Sequence, residues 1–266
     1  MNTKTNLSAR HIMQHFSPDF QRSPAPKMYV FDCLDSTNTW LKDNGDCGVV
    51  CIAEQQTAGR GRRGRQWLSP RAENIYCSVK WCFEVTPEQL SLLSLVVGLS
   101  IAKALQKIGL TGHGVKWPND IFWQGEKMGG ILIEGISSNS SLHQQEVVIG
   151  FGLNVNMPKS SGETIDQPWV SLHHAMGDTL DRNQLLAFIL EFLINDLQCF
   201  DRLDSKRFQH DWRYWDVLYG QNVLILQEQQ ERSGIVDGID DQGRLAVKLM
   251  SGQLAYYTSA EIRLKK

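Results

Sequence analysis

The chain carries almost no net charge: 27 basic against 29 acidic residues leave −2 at pH 7. That excludes bulk electrostatic attraction to nucleic acid or an anionic membrane, though not a local patch. It lacks a long uncharged run. The most apolar stretch, residues 89–102, is too short for a span of about 20 residues and reads as a buried core helix. Met1 to Arg10 has no apolar run behind its Lys and Arg, so no signal peptide is expected. There is no Cys-x-x-Cys among the cysteines at 33, 47, 51, 77, 82 and 199, and most lie in apolar segments. The expectation is reduced cysteines packed as small hydrophobes in a cytosolic protein. His11 and His15, with Cys47 and Cys51, raise a zinc site, but their order is the reverse of a finger and no Glu follows His11, which disfavours it. At 266 residues, 42% hydrophobic and 21% charged, the chain is an ordinary globular protein of one large domain, or a large plus a small one.

Residues 1–27, broken by Pro18, Pro24 and Pro26, look like a loosely ordered lead-in with one short helix before Pro18. Met28–Leu34 and Val49–Ala53 are strand-like, with a helix capped by Asp35 or Ser36 between them. Further strands are expected at Asn74–Trp81 and Val147–Asn156. Val115–Trp123 and Met128–Ile136 form a hairpin turned at Gln124-Gly125-Glu126. Helices are expected at Pro87–Ile108, Asp181–Phe200 and Ser205–Trp215, and a polar loop at Ser160–Trp169. After Gly220, short strands (222–227, 233–239, 244–248 and 253–258) alternate with turns, as in a small barrel of roughly 45–50 residues. The coarse organisation is a mixed α/β domain followed by a small β module.

The sharpest local feature is Gly59-Arg60-Gly61-Arg62-Arg63-Gly64-Arg65. It contains G-x-G-x-x-G, but Trp67-Leu68-Ser69-Pro70 follows and no helix opens, against a dinucleotide fold. Glycines leave room for an anion to reach the amides, and forked arginines suit phosphate. Crowded arginines repel one another, so such a loop is expected to be poorly ordered when empty and to order when a phosphate neutralises it. The alternatives are a solvated basic turn or a nucleic-acid patch. Lys116-Trp117-Pro118-Asn119-Asp120 is either a Pro-Asn-Asp turn or a site for polyphosphate and a divalent ion, with Asp120 as hard oxygen ligand. Lys127 follows just past the expected hairpin turn. Asp35-Ser36-Thr37-Asn38 is a helix cap or a row of groups able to read a polar ring. Glycines in Gly150-Phe151-Gly152-Leu153-Asn154 mark a bulge or a close ligand approach.

In order and spacing these blocks, with Glu54-Gln55-Gln56-Thr57-Ala58 and Lys127-Met128-Gly129-Gly130-Ile131-Leu132, resemble the bacterial biotin–protein ligases, also called biotin–[acetyl-CoA-carboxylase] ligases. The likeness runs from about Met28 to the C-terminus and is to the form without an N-terminal DNA-binding domain. The resemblance implies an α/β fold: a mixed-sheet catalytic domain of the biotin/lipoate ligase (class II aminoacyl-tRNA synthetase-like) type over residues 28–218, with an SH3-like β-barrel over 219–266. It implies that biotin attacks ATP to give biotinyl-5′-AMP, and that a lysine of the biotin carboxyl carrier protein of acetyl-CoA carboxylase then takes the biotin. By motif match, Ser36, Thr37, Asn38 and Gln56 would line the pocket for biotin's ring. Arg60, Gly61 and Arg62 would close over it, and Gly130, Gly150 and Gly152 would allow close backbone contact. Lys127, Arg62 and Asp120 would be catalytic. Arg62, Arg63, Arg65, Trp67, Lys116, Asn119, Asn154 and Trp169 would hold ATP and the adenylate, with Mg2+ as cofactor and its ligands open. A cytoplasmic enzyme, a homodimer, no membrane and no sequence-specific DNA binding are expected. A winged helix-turn-helix needs about 60 residues, and only 27 residues precede the first strand. Lipoate–protein ligase and a non-catalytic biotin sensor remain as alternatives.

Overall fold

The computed structural model describes residues 5–21, 25–136, 144–227 and 230–265. Helices α1 (Ala9–Gln14) and α2 (Pro18–Gln21) lead into β1 (Met28–Phe31), α3 (Thr37–Asn44), β2 (Val50–Ala53), β3 (Ile75–Phe83) and α4 (Leu93–Lys107). Strands β4 (His113–Lys116), β5 (Asp120–Trp123), β6 (Glu126–Ile136) and β7 (Gln145–Leu153) follow, then α5 (Leu172–Met176), α6 (Arg182–Gln198) and α7 (Ser205–Trp215). Strands β1 to β7 form one sheet in the order β1-β2-β3-β7-β6-β5-β4. It is parallel at β1–β2 and antiparallel elsewhere, the mixed sheet that was expected.

Alternation along β2 sorts the two faces. Val50 and Ile52 join the large core with α4 and α6, whereas Val49 and Cys51 face Leu41 of α3 on the other side. Residues 87–107 are apolar enough by composition to cross a membrane, but here they are core, buried between the sheet and α6. Pro87–Leu92 forms a 3-10 turn, so the α-helix itself starts at Leu93.

Several expectations are corrected. Residues 5–21 are not a loose lead-in: Leu7, Ile12, Phe16 and Phe20 are buried in the main core, because the prolines delimit short helices whose apolar side chains dock. The single strand expected over Val115–Trp123 is two, β4 and β5, broken at Trp117-Pro118-Asn119, where proline removes a ladder donor. The hairpin is therefore β5–β6, turned at Gln124 and Gly125, both at positive φ (47° and 86°). Cys47 and Cys82 form a disulfide, with Cα atoms 5.6 Å apart, so not all six cysteines are reduced. Their separation of 35 residues hides a proximity that β2–β3 pairing creates. Cys51 and Cys77 are free and buried, and burial pushes the Cys51 thiol up to about 12.

Beyond α7, β8 (Asn222–Gln227), β9 (Gln230–Ile239), β10 (Leu245–Leu249), β11 (Leu254–Tyr257) and β12 (Glu261–Leu264) make an antiparallel sheet in the order β11-β10-β9-β8-β12. Strand β12, which sequence reasoning passed over, closes on β8 with Ile262 opposite Ile225. The sheet is docked on the larger unit: Trp117 Nε1 donates to Gly243 O at 2.9 Å.

Candidate functional site

The site lies along the ends of β5, β6 and β7, between α3 and the glycine-arginine loop. Ser36 opens α3: its hydroxyl accepts from Thr39 N at 3.5 Å, so it acts as the helix cap. Capping directs Thr37 and Asn38 inward, where both are buried. Thr37 N donates to Gln56 Oε1 at 2.9 Å, and Thr37 Oγ1 lies 2.7 Å from Ser78 Oγ. Ser78 Oγ in turn donates to Asn38 Oδ1 at 2.5 Å. Asn38 Nδ2 donates to Glu134 Oε2 at 2.8 Å, and Gln56 Nε2 to Ser69 Oγ at 3.3 Å. These groups make a continuous row, buried except at the partly exposed Gln56 and Glu134, in which each polar atom has a partner. Ser69, Ser78 and Glu134 were not foreseen. A serine at a fully buried position inside Tyr76-Cys77-Ser78-Val79 was the available signal.

Gly150 and Gly152 are needed for this row and its neighbour. A Cβ on Gly150 would overlap Asn38 Oδ1, and one on Gly152 would overlap the Trp67 indole. The glycines thus admit side chains of the protein itself to the face of β7. Gly130, paired with Gly152 across β6–β7, lies under Trp67 and beside Asp120 and Lys127.

Next to Trp67 is a cationic cluster around one carboxylate. Lys127 Nζ is 2.8 Å from Asp120 Oδ1 and lies over the Trp67 ring at 5.5 Å. Arg62 Nη1 donates to Asn119 Oδ1 at 3.1 Å, and Asn119 Nδ2 to Ile131 O at 2.8 Å. Burial, helped by the charge of Arg63, lowers the Arg62 guanidinium pKa, with Asp120 opposing. Burial likewise lowers Lys116, whose Nζ sits over the Phe122 ring at 4.7 Å. Two lysines and an arginine thus converge on Asp120, a surplus of positive charge suited to an anion.

The loop that delivers Arg62 is a miniature hairpin. Arg60 bridges Gln66, Gly61 N donates to Arg65 O at 2.7 Å, and Arg63 sits at its tip at φ 56°. Arg60 Nη2 reaches Glu134 Oε2 at 2.9 Å. Arg63 and Arg65 point away from the Asp120 cluster: Arg63 Nη2 donates to Ser259 Oγ at 2.9 Å, and Arg65 Nη2 is 3.5 Å from Glu261 Oε2. Asn154 is buried and donates to Val170 O at 3.2 Å, tying the following segment to β7. Trp169 is buried against Gly162, under Lys159 Nζ at 4.6 Å, and bridges Lys127 through its backbone. The structure therefore unites Thr37, Asn38, Gln56 and Gly150 at one end, and Lys116, Asn119, Asp120, Lys127, Arg62, Trp67, Gly130 and Gly152 at the other. Arg63 and Arg65 stand apart.

Among the described residues, no group of three or more His, Cys, Asp or Glu side chains is placed to hold a metal ion. Asp120 is the carboxylate amid these cations, with the amide oxygen of Asn119 nearby. That fits a magnesium ion carried largely by phosphates and water rather than a protein cage.

Residues 30–154 match the family described as Biotin/lipoate A/B protein ligase family, and residues 218–265 the Biotin protein ligase C terminal domain. The bifunctional ligase/repressor BirA of Escherichia coli is 37% identical over 239 residues, covering 89% of this chain and 73% of that protein. A biotin--[acetyl-CoA-carboxylase] ligase of Mycobacterium tuberculosis is 35% identical over 205 residues, covering 75% of this chain and 73% of that protein. The solved biotin protein ligase from Aquifex aeolicus in complex with biotin and ATP superposes with a TM-score of 0.76 at 29% identity, covering 90% of this chain and 99% of that one. With this fold, this buried row and this cationic cluster, the chain belongs to the biotin protein ligases.

Proposed function

We propose that the protein joins biotin to ATP as biotinyl-5′-AMP and passes the biotin to a lysine of the biotin carboxyl carrier protein of acetyl-CoA carboxylase. The observation that carries this reading is a row of amide and hydroxyl groups beside a cation-rich pocket. Gln56, Thr37, Ser78 and Asn38 offer donors and acceptors to a ureido ring. Lys127, Lys116 and Arg62 converge where a carboxylate would meet a triphosphate.

In the first step the biotin carboxylate oxygen attacks the α-phosphorus, the acyl–phosphate bond forms and pyrophosphate leaves. Two anions must approach, and Lys127 and Arg62 offset their repulsion in a partly buried setting. Lys127 exchanges Asp120 for the incoming anion, so its positive charge is compensated before and after binding. Magnesium would arrive with ATP, with Asp120 and Asn119 the groups to hold it, and would neutralise phosphate charge. In the second step the acceptor lysine amine attacks the carbonyl, an amide forms and AMP leaves. The mixed anhydride hydrolyses if water reaches it, so the Arg60–Gln66 hairpin shields it between the steps. Trp67, on Gly152, supplies an aromatic wall to the nucleotide end.

A cytoplasmic location suits the need for ATP and the carrier, and a homodimer through the large sheet is part of the same proposal. The repressor half of the Escherichia coli relative's name stays with that protein. The test is incubation with labelled biotin, ATP·Mg2+ and a carrier domain. Label on the carrier, with biotin- but not lipoate-dependent pyrophosphate release, supports the reading. Absence of pyrophosphate overturns it.

A further inference from the structure

Glu134, on β6, is shared by three donors from two elements. Its Oε1 accepts from Lys42 Nζ at 2.7 Å. Its Oε2 accepts from Asn38 Nδ2 at 2.8 Å and from Arg60 Nη2 at 2.9 Å. Lys42 and Asn38 stand one turn apart on the same face of α3. Arg60 belongs to the glycine-arginine hairpin and also donates to Thr39 Oγ1 at 3.3 Å. Burial works against ionisation of Glu134, but hydrogen bonds from Lys42 and Asn38 and the charge of Arg60 outweigh it and hold the carboxyl below its ordinary range.

The hairpin is therefore held at two places: Arg62 on Asn119 beside the cationic cluster, and Arg60 on Glu134 beside the ring end of the buried row. The two grips differ in kind. Removing one partner from a buried ion pair strands the other charge, which makes such a contact hard to open. Glu134 has two cations for one carboxylate. Lys42 belongs to α3 and not to the hairpin, so Glu134 remains compensated when Arg60 leaves, and Arg60, 43% exposed, regains water at once.

We propose that Glu134 is the latch point of the hairpin and a positioning residue for the reaction. Its carboxylate draws Arg60, and with it residues 60–66, over the pocket. Lys42 is the resident counter-ion that lets the latch open without leaving a bare charge. This rests on the ligase reading for its consequence, containment of the adenylate, but not for its geometry. The two partners of Glu134 then have opposite effects. Glu134→Gln removes the attraction for Arg60, and the hairpin opens more often. Lys42→Met leaves Arg60 as the sole cation on Glu134, and the hairpin opens less often. A merely structural role for either residue would loosen the site in both variants.

The experiment measures escape of preformed adenylate from the full chain by chase with unlabelled biotin, alongside amide hydrogen exchange at Gly61 and Trp67 in ligand-free protein. Escape and exchange should each rise about fivefold in Glu134→Gln and fall by a similar factor in Lys42→Met, the size of one half-exposed charge-assisted hydrogen bond. Arg60→Lys, which keeps the charge, should lie between wild type and Glu134→Gln. Shifts of the same sign in Glu134→Gln and Lys42→Met, or none in either, overturn the latch. If wild type forms no adenylate, the ligase reading fails, and hydrogen exchange alone still decides the latch.

Discussion

Lys127 and Asp120 face each other across the β5–β6 hairpin, Nζ to Oδ1 at 2.8 Å, where the pairing slips by one residue between Ile121 and Phe122. The slip aims Lys127 along the edge of the pocket and gives it a carboxylate partner in place of a substrate's. The same acidic side chain opposes the desolvation of nearby Arg62, and with Glu261 that of Lys116. Cations outnumber carboxylates around Asp120, the charge balance on which the proposed approach of carboxylate and triphosphate depends.

Lys127→Ala should therefore slow adenylation by about a hundredfold or more, the usual loss when one preorganised charge-stabilising group is removed. Biotin-dependent exchange of pyrophosphate into ATP measures it. A wild-type exchange rate would remove Lys127 from the reacting centre.

Arg62→Ala removes the hold on Asn119 and a cation from the pocket. Adenylate should still form but escape faster, so that free adenylate accumulates while carrier labelling falls. Trapping released adenylate on a filter checks it, and unchanged release counts against the shielding role.

Gly150→Ala should raise the KM for biotin about tenfold or more with a smaller change in kcat, because the new methyl displaces Asn38 from its bonds to Ser78 and Glu134. Steady-state kinetics at saturating ATP resolve the two parameters.

Arg182, fully buried at the start of α6, pairs with buried Glu54 at 2.6 Å and also donates to Asn74 O and Thr5 O. Leu7 N donates to Glu54 as well, so the pair pins the N-terminal segment beside the strand end that leads to Gln56. Arg182→Met leaves the buried Glu54 without its counter-ion, and should destabilise the fold by about 3–5 kcal/mol. Urea melts check it, and adding Glu54→Gln should recover part of the loss.

Asp216, in the turn that joins α7 to β8, is held at about 6 by burial, with a hydrogen bond from Leu218 N opposing. Its folded value lies above its unfolded one, so its contribution to stability is full below about pH 4 and is lost as pH rises through 6. Asp216→Asn, which cannot ionise, should be more stable than wild type at pH 8 and lose that advantage toward pH 4. Thermal melts across that range test the sign.

The motif blocks were legible because each is local: a Ser cap that turns Thr37 and Asn38 inward, a loop of alternating Gly and Arg, and a Pro-Asn-Asp break beside a lysine. The elements around them were legible from periodicity, with α6 and the β5–β6 turn as the clearest cases. Glu134 and Lys42 were not, because an acidic residue in a strand and a lysine on a helix look solvated until β6 and α3 are brought face to face. Arg63 and Arg65 could not be separated from Arg62 by sequence, since nothing local says that Ser259 and Glu261 lie opposite the hairpin tip.

Sequence alone thus determined the chemistry on offer: which donors, cations and glycines occur, in which order, and on which kinds of element. Tertiary structure decided how that chemistry is divided. Strand pairing set Gly150 under Asn38 and Gly152 under Trp67, joined Cys47 to Cys82, and chose which arginine faces the pocket and which faces the C-terminal sheet. The physical reason is range. Capping, turn chemistry and alternation act over a few residues, whereas partner choice for a charge or a buried amide depends on segments that only the closed sheet brings within about 3 Å.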